Sequence, residues 1–485
     1  MTPFPAVRPA LVATAALGLL PFAPVPAPSA GSALPPVVRS SADDRESVTV
    51  TVYNQNFGLV REVRTLSLPG GTTPVEYADV ASQIQAQTVH VRPLGRTPFR
   101  LLEQNYRYDL LSPETLLQKY VGRTVRIYRR LPDGSESPVE AEVLAVNGRP
   151  VLRVDGEITF DVPGRFAFSE VPGDLIASPS LVWQVEAPAG PAPTEVSYLT
   201  GGLNWSADYV LVLDENDAHG DLTGWVTLVN QSGTTFDGAR LKLVAGDVRR
   251  VVDNVGWEDR MRRDAVMAEA AQAAPFSEEG LFEYHLYTLD RPTDLKNNEQ
   301  KQVVLLEGRG FAVEKELVFR GESWLFRSQY GDVSQNQKAG VFLRFQNRER
   351  EGLGMPLPRG VVRVYKADRS GAQQFVGEDR IDHTPRNETV GIRIGEAFDV
   401  VADRRQTAFD ILGSCVTESE WTLSLRNRKD EPQTVTVVEP VGGDWTMLRA
   451  SHPHEEMDAW TFRFRVDLAA NAETELTYRV RVRWC

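Results

Sequence analysis

The stretch SYLTGGLNWSADYVLVL, residues 197–213, places two adjacent glycines between runs of alternating apolar residues. A glycine-rich phosphate loop would need a helix directly after it, with its N-terminus facing the phosphate. The residues that follow, Tyr209 to Leu213, alternate and favour a β-strand instead. Gly201 and Gly202 are therefore predicted to turn the chain between two strands, and the phosphate-loop interpretation fails.

Short alternating segments of the same kind extend on both sides of this stretch. SVTVTVY from Ser47 is an example, and such segments end at Gly, Pro or Asn, as antiparallel strands do. The segment SPETLLQKYVG predicts one short helix, because Ser112 suits the N-cap, Pro113 the first helical position and Gly122 the end. The chain is thus predicted to be all-β with one short helix.

Residues 112–170 follow the pattern of a small barrel. The helix leads into about five short strands joined by Asp-Gly and Asn-Gly turns, which resembles the SH3-like or Sm-like barrel. Sm-like barrels commonly bind RNA, but this segment carries similar numbers of acidic and basic residues. We expect a structural insertion within an N-terminal β domain, residues 46–185.

A proline-rich segment, residues 186–195, marks the clearest internal boundary and predicts a linker. In the C-terminal region, residues 195–485, an alternating strand three times ends at an asparagine, followed by a polar turn and a returning strand. This recurrence predicts immunoglobulin-like β-sandwich sheets. The Ala- and Met-rich residues 257–280 offer little to bury and predict a mobile loop.

The N-terminus and the overall charge indicate an exported protein that does not bind nucleic acid. Residues 1–30 have the apolar run and small residues of a signal peptide, and residues 31–45 are predicted to be a linker. No later segment suggests a transmembrane helix. The chain has 66 acidic against 53 basic residues, a net charge of −13, whereas phosphate binding needs a basic surface. We therefore expect a periplasmic or secreted protein.

Several segments together resemble a known bacterial family. They are residues 197–213, LFEYHLYTLDRPTDLKNNEQKQVVLL, LPRGVVRVYKADRSGAQQFVGEDRIDHTP, GEAFDVVADRRQT, LRNRKDEPQTVTVVE followed by GDW, and ASHPHEE. In this order they resemble domain of unknown function 4139, which also forms the C-terminal part of mucoidy inhibitor A-like proteins. The resemblance implies no catalytic residues. It implies a β-turn with aromatic packing at five positions: Tyr198, Gly201, Gly202, Trp205 and Tyr209. The long coiled coil that precedes the domain in mucoidy inhibitor proteins is missing here.

Two clusters contain side chains suited to chemistry. His452, His454 and Glu455 are a candidate metal site, but no third histidine can be assigned, so a structural role is the preferred interpretation. GEDRIDHTP, residues 377–385, offers carboxylates and His383 for acid–base catalysis, although cross-strand ion pairing explains it as well. No cofactor site is predicted.

The only two cysteines, Cys415 and Cys485, are candidates for one disulfide. An export signal would place both thiols in an oxidising compartment, and no competing pairing exists. Each cysteine lies next to a predicted strand, so antiparallel neighbours can bring the two together.

Three functional hypotheses follow from these observations. The preferred one is a noncatalytic envelope protein that binds or scaffolds other proteins, because the sequence lacks a catalytic motif and is rich in β-sandwich segments. The second is a module that binds glycans or peptides. The third is a hydrolase that uses carboxylates of the C-terminal region.

Overall fold

The computed structural model describes the chain over residues 36–95, 99–160, 162–250 and 276–485. Over these ranges the fold is all-β and consistent with a β-sandwich, which confirms the fold class predicted from the alternating segments. The predicted signal peptide, residues 1–30, and residues 257–275 of the predicted mobile loop lie outside the described residues.

The first part of the chain contains the predicted helix. The Ser112 hydroxyl accepts a hydrogen bond from the Thr115 N–H, and Pro113 is the first helical residue, as the sequence indicated. The elements are β1 (Val38–Ser40), β2 (Arg45–Tyr53), β3 (Phe57–Leu68), β4 (Gly71–Ala78), β5 (His90–Pro93), β6 (Arg100–Arg107), α1 (Pro113–Lys119), β7 (Thr124–Arg130), β8 (Glu136–Asn147), β9 (Arg149–Val154), β10 (Glu157–Thr159) and β11 (Arg165–Ala167).

The rest of the described chain contains longer strands, connected in places by short 3₁₀ turns. They are β12 (Ser180–Ala187), β13 (Gly190–Gly201), β14 (Leu203–Leu213), β15 (His219–Asn230), β16 (Phe236–Ala245), β17 (Phe276–Leu281), β18 (Tyr284–Leu289), β19 (Thr293–Leu295), β20 (Glu299–Arg320), β21 (Asp332–Gln346), β22 (Gly360–Ala367), β23 (Gln373–Ile381), β24 (Thr389–Gly413), β25 (Val416–Asn427), β26 (Gln433–Pro440), β27 (Asp444–Ala450), β28 (His454–Asp458), β29 (Thr461–Leu468) and β30 (Glu473–Arg483).

Hydrogen bonds group these strands into four sheets. A four-stranded sheet has the order β1-β4-β12-β6, and a five-stranded sheet has the order β10-β9-β8-β7-β11. An eight-stranded sheet has the order β17-β18-β16-β2-β3-β13-β5, with β19 paired to β16. A thirteen-stranded sheet has the order β23-β22-β14-β15-β20-β21-β24-β25-β30-β27, with β26, β28 and β29 attached through β20.

The small barrel predicted for residues 112–170 is an open sheet. Its five strands and its helix are present, but β10 and β11 form opposite edges, and no ladder joins them among the described residues. Short Asp-Gly and Asn-Gly turns specify antiparallel neighbours, whereas closure depends on the two end strands meeting. The insertion nevertheless has its own small core, in which Tyr120 and Ile127 are buried.

Residues 186–195, predicted to be a linker, are mostly β-strand: they are the end of β12 and the first part of β13, which belong to two different sheets. Pro191 and Pro193 lie within β13 and pair with Ser67 and Thr65 of β3. The Pro193 carbonyl accepts the Leu94 N–H and so faces the β5 side of β13. In an antiparallel strand the N–H of a residue points to the same side as its carbonyl, so the N–H that Pro193 lacks would lie just beyond the end of β5. A proline is tolerated at such an edge position.

Two further predicted irregular segments are partly regular in the structure. Within the predicted linker, residues 31–45, the strand Val38–Ser40 pairs in parallel with β4, and β2 begins at Arg45. At the end of the predicted loop, residues 257–280, Phe276 is buried and begins β17. In both cases pairing with another strand decides the conformation: β4 is the partner of β1, and the next strand, β18, is the partner of β17.

The two largest cores are connected by continuous strands. The first core contains residues of the four-stranded and eight-stranded sheets and of one half of the thirteen-stranded sheet, and the second core contains the other half. Strands β20, β21 and β24 contribute side chains to both cores, and β24 alone is 25 residues long. The boundary predicted near residue 195 therefore does not separate the cores.

A buried asparagine lies at each of the three repeated strand ends that the sequence shows. Asn230, Asn347 and Asn427 are 4%, 0% and 0% exposed. In each, the side-chain amide donates to two or more backbone carbonyls of nearby loops, and its oxygen accepts a backbone N–H. The recurrence thus has a physical cause: one amide satisfies the backbone of a loop where the chain leaves a strand.

Replacing Asn427 with Ala is expected to lower the free energy of unfolding by about 3 kcal/mol, since three backbone groups lose their hydrogen bonds to this buried side chain. The matched control is Gln433→Ala, because that amide donates only to the carbonyl of its neighbour Pro432. The control should change stability by no more than about 0.5 kcal/mol. Urea unfolding followed by tryptophan fluorescence measures both, and equal effects would disprove the bridging role of Asn427.

An ion triad is buried in the first core. The Glu62 carboxylate lies 2.5 Å from Arg45 and 3.1 Å from Arg64, with side-chain exposures of 0%, 7% and 0%. The Arg64 guanidinium also lies 3.8 Å from the centre of the Tyr77 ring and donates to the carbonyls of Ser40 and Ala78. The triad therefore connects β1, at the start of the described chain, to β2, β3 and the end of β4.

Candidate functional site

Residues 197–213 form the end of β13, a turn and β14. Gly202 has φ 74°, and a Cβ atom there would lie 2.6 Å from the Gln231 carbonyl oxygen. Only glycine fits this position without strain. The turn aligns β14 so that one face packs into the first core while the other face carries Asn204, Ser206 and Asp208.

The aromatic residues of this stretch hold distant backbone in place. The Trp205 indole N–H donates to a carbonyl of β16, and the Tyr198 hydroxyl accepts an N–H from the loop after β4. The Tyr209 hydroxyl donates to the Pro358 carbonyl at 2.7 Å. All three rings are at least 97% buried, so they serve as fixed supports and not as an exposed binding platform.

A polar cleft of about 340 Å³ lies above β14. It opens between the β2–β3 turn, the outward face of β14, the start of β22 and the end of β23. Such a volume is at the lower end of the range for small-ligand sites. The hydrogen-bonding side chains of its lining, apart from Asp208, are Asn54, Asn204, Ser206, Arg359, Arg380 and His383.

Sheet register brings these residues together from distant parts of the chain. Asp208 of β14 is level with Val361 of the parallel strand β22, which is level with Arg380 of β23. A Cβ atom at Gly360 would lie 2.3 Å from the Ala207 carbonyl oxygen, so a glycine permits the close approach of β22 to β14.

His383 and Arg359 are held against each other at one wall of the cleft. The Arg359 backbone N–H donates to His383 Nδ1 at 3.2 Å, and a two-way pairing of Leu357 with Thr384 fixes both segments. Partial burial, and then the Arg359 charge, lower the pKa of His383. The imidazole is therefore neutral at pH 7 and keeps its proton on Nε2, which makes it a hydrogen-bond donor there.

Asp208 is the carboxylate of the lining, and both of its oxygens already have hydrogen-bond or ion-pair partners. One oxygen lies 3.1 Å from the Arg363 guanidinium and the other accepts the Thr227 hydroxyl at 3.2 Å. Arg363 also pairs with Glu378 at 3.3 Å. These contacts form a chain of ion pairs across β14, β22 and β23.

In the structure, the carboxylates proposed from the sequence for acid–base catalysis each bind a different group. Glu378 pairs with Arg363, while Asp379 accepts the backbone N–H groups of Arg380 and Arg393 at 2.8 and 2.7 Å. His383 lies at the cleft, beyond the end of β23. The segment thus brings Arg380 and His383 to one site, and the contacts of Glu378 and Asp379 are structural.

The candidate metal ligands also have other partners. His452 Nδ1 is 2.8 Å from the Ser451 hydroxyl, and the His454 ring packs edge-on against Trp445 at 5.8 Å. Glu455 is bonded to Arg463, which lowers the pKa of that carboxyl. Among the described residues, no group of three or more His, Cys, Asp or Glu side chains is arranged to hold a metal ion.

Cys415 and Cys485 form a disulfide in the structure, with Cα atoms 5.9 Å apart. It joins the turn between β24 and β25 to the end of β30. The Trp484 N–H donates to the Cys415 carbonyl at 2.9 Å, and the Arg327 guanidinium lies 4.5 Å from the centre of the Trp484 ring.

Sequence reasoning did not identify most of the cleft. Asn54 belongs to no motif, and Arg359 and Arg380 lie in a segment of the family resemblance that implies no role for either. Asn204 lies within the quoted stretch, but its neighbours come from segments about 150 residues away on either side. One signal was present: polar residues at alternate positions of a strand whose other face is apolar.

Neither the family models nor the curated proteins that were searched match this chain. In the described part of the chain, no helix has the length and apolar character needed to cross a membrane.

Proposed function

We propose that this chain is an exported, noncatalytic envelope protein that holds a ligand or a segment of a partner protein in the cleft between β14, β22, β23 and the β2–β3 turn. The observation that carries the proposal is the cleft itself, which is of ligand size and has a wall whose backbone is bonded at Pro358 to the buried Tyr209 hydroxyl. A preformed site loses little entropy when its ligand binds.

The backbone around the cleft supports this preorganisation. Two buried tyrosine hydroxyls donate to the segment before β22: Tyr209 bonds Pro358 and Tyr287 bonds Pro356. The floor of the cleft is a strand pair with uninterrupted register. The site therefore rests on rigid elements, as selective binding requires.

Export and family membership are parts of the same proposal. A disulfide between the two cysteines suits an oxidising compartment. The resemblance of residues 195–485 to domain of unknown function 4139, with immunoglobulin-like sandwiches, fits a role in binding, since that family carries no catalytic residues over to this chain.

The proposal is tested by capture from an envelope fraction of the source cells with three forms of the purified protein. Ser206→Arg places a long side chain into the cleft from an exposed position, and Thr407→Arg places the same side chain on an exposed position of β24. We expect mass spectrometry to find a protein retained by the wild type and by Thr407→Arg but lost from Ser206→Arg. Retention by all three forms, or by none above background, contradicts the proposal.

A further inference from the structure

We infer that the cleft binds a carboxylate group of an acidic peptide segment, with Arg380 as its main partner. This inference rests on the proposed binding function and adds the chemical class of the ligand. It follows from a comparison of which hydrogen-bonding groups in the cleft already have partners and which do not.

The unengaged groups of the lining are mostly donors. The Arg380 guanidinium has no ion pair or side-chain hydrogen bond among the described residues, and Arg359 has only Asp247, at 4.0 Å. Asn204 uses its side-chain oxygen to accept the Asn56 N–H, which leaves its amide N–H groups available. With the Nε2 proton of His383, the cleft offers several N–H donors from four side chains.

The charged acceptor of the lining is already satisfied. Both oxygens of Asp208 have partners, and Arg363, which pairs with it, is shared with Glu378. The Asn54 side-chain oxygen is a buried acceptor without a partner among the described residues. The available donors outnumber it, so the ligand is expected to supply mainly acceptors. A planar carboxylate suits the fork of a guanidinium, with which it forms two parallel charge-assisted hydrogen bonds.

Size and lining favour a peptide over a sugar acid. About 340 Å³ admits a group the size of one or two residues. Sugar rings are commonly held by stacking on an exposed aromatic face, but the aromatic residue of the described lining, Trp205, is 3% exposed. Although the whole chain is acidic and Asp247 lies 4.0 Å from Arg359, the one carboxylate of the described lining is already paired, so the unpaired charge of that lining is the Arg380 guanidinium, which suits an anion.

The test is a ligand-observed NMR titration with the tripeptides Ac-Ala-Glu-Ala-NH₂ and Ac-Ala-Gln-Ala-NH₂, with glucuronate and inorganic phosphate as competitors. We expect the Glu peptide to bind the wild type at least about tenfold more tightly than the Gln peptide does. Arg380→Ala should weaken the Glu peptide by at least about tenfold. The control Arg405→Ala removes an equally charged, 69% exposed arginine of β24 and should leave binding unchanged.

Each other outcome overturns the inference. Equal binding of the two peptides, no binding of either, or full binding by Arg380→Ala excludes recognition of a carboxylate by Arg380. Glucuronate or phosphate displacing the Glu peptide at equal concentration excludes the peptide assignment. If an envelope partner is captured through the cleft but the Glu peptide does not displace it, the proposed function stands and the carboxylate assignment fails.

Discussion

Replacing Glu62 with Gln is expected to lower the free energy of unfolding by about 3–5 kcal/mol. The substitution keeps the shape of the side chain but removes the anion between Arg45 and Arg64, whose side chains are 7% and 0% exposed. Two guanidinium groups would then be buried without a counter-charge. Desolvated charges of this kind cost far more than the hydrogen bonds that remain.

The matched control is Glu186→Gln. Glu186 pairs with Arg100 at 2.9 Å, but the two side chains are 52% and 74% exposed. Water already solvates both charges, so the loss should not exceed about 1 kcal/mol. Urea unfolding followed by circular dichroism measures both variants. A Glu62→Gln variant as stable as Glu186→Gln would show that the buried triad contributes no more to the free energy of unfolding than a solvent-exposed ion pair does.

Reduction of the Cys415–Cys485 disulfide is expected to cost about 4 kcal/mol. The bond closes a loop with a sequence separation of 70, which restricts the unfolded chain, and the chain-entropy model gives this magnitude for such a loop. The loop contains β25 to β30, a large share of the second core, so unfolding of that core should move to lower urea concentration.

Two controls separate the disulfide from other effects of the reductant. The double variant Cys415→Ser and Cys485→Ser should be as unstable as the reduced wild type and should not respond to dithiothreitol. Alkylation of the native protein without reductant should label no thiol, since both cysteines are bonded. Two labelled thiols, or a reductant effect on the double variant, would contradict this account.

The sequence predicted local structure better than long-range pairing. The helix at Ser112 and the turn at Gly202 are determined by neighbouring residues, and the structure contains both. The segment containing Pro191 and Pro193 looked like a linker because its composition lacks strand formers. It became a strand because β3 supplies a partner along its whole length, which no local pattern reveals.

The candidate site shows the same limit. Asn204, Ser206 and Asp208 share a face because side chains of a strand alternate, and this follows from the sequence. That Arg380 and Asn54 meet that face depends on the parallel pairing of β14 with β22 and on where the β2–β3 turn lies. Both are tertiary relations between segments far apart in the chain.

Strand β24 runs from the neighbourhood of the cleft to the disulfide. It starts shortly after His383 at the cleft and ends just before Cys415 of the disulfide, and its 25 residues span about 80 Å when extended. It pairs with β21 over residues 389–405 and with β25 over residues 400–413, and both ladders contain register shifts. One strand thus passes from the first core, beside the cleft, into the second core, which the disulfide closes, so a load applied near the cleft reaches the disulfide through one continuous length of backbone.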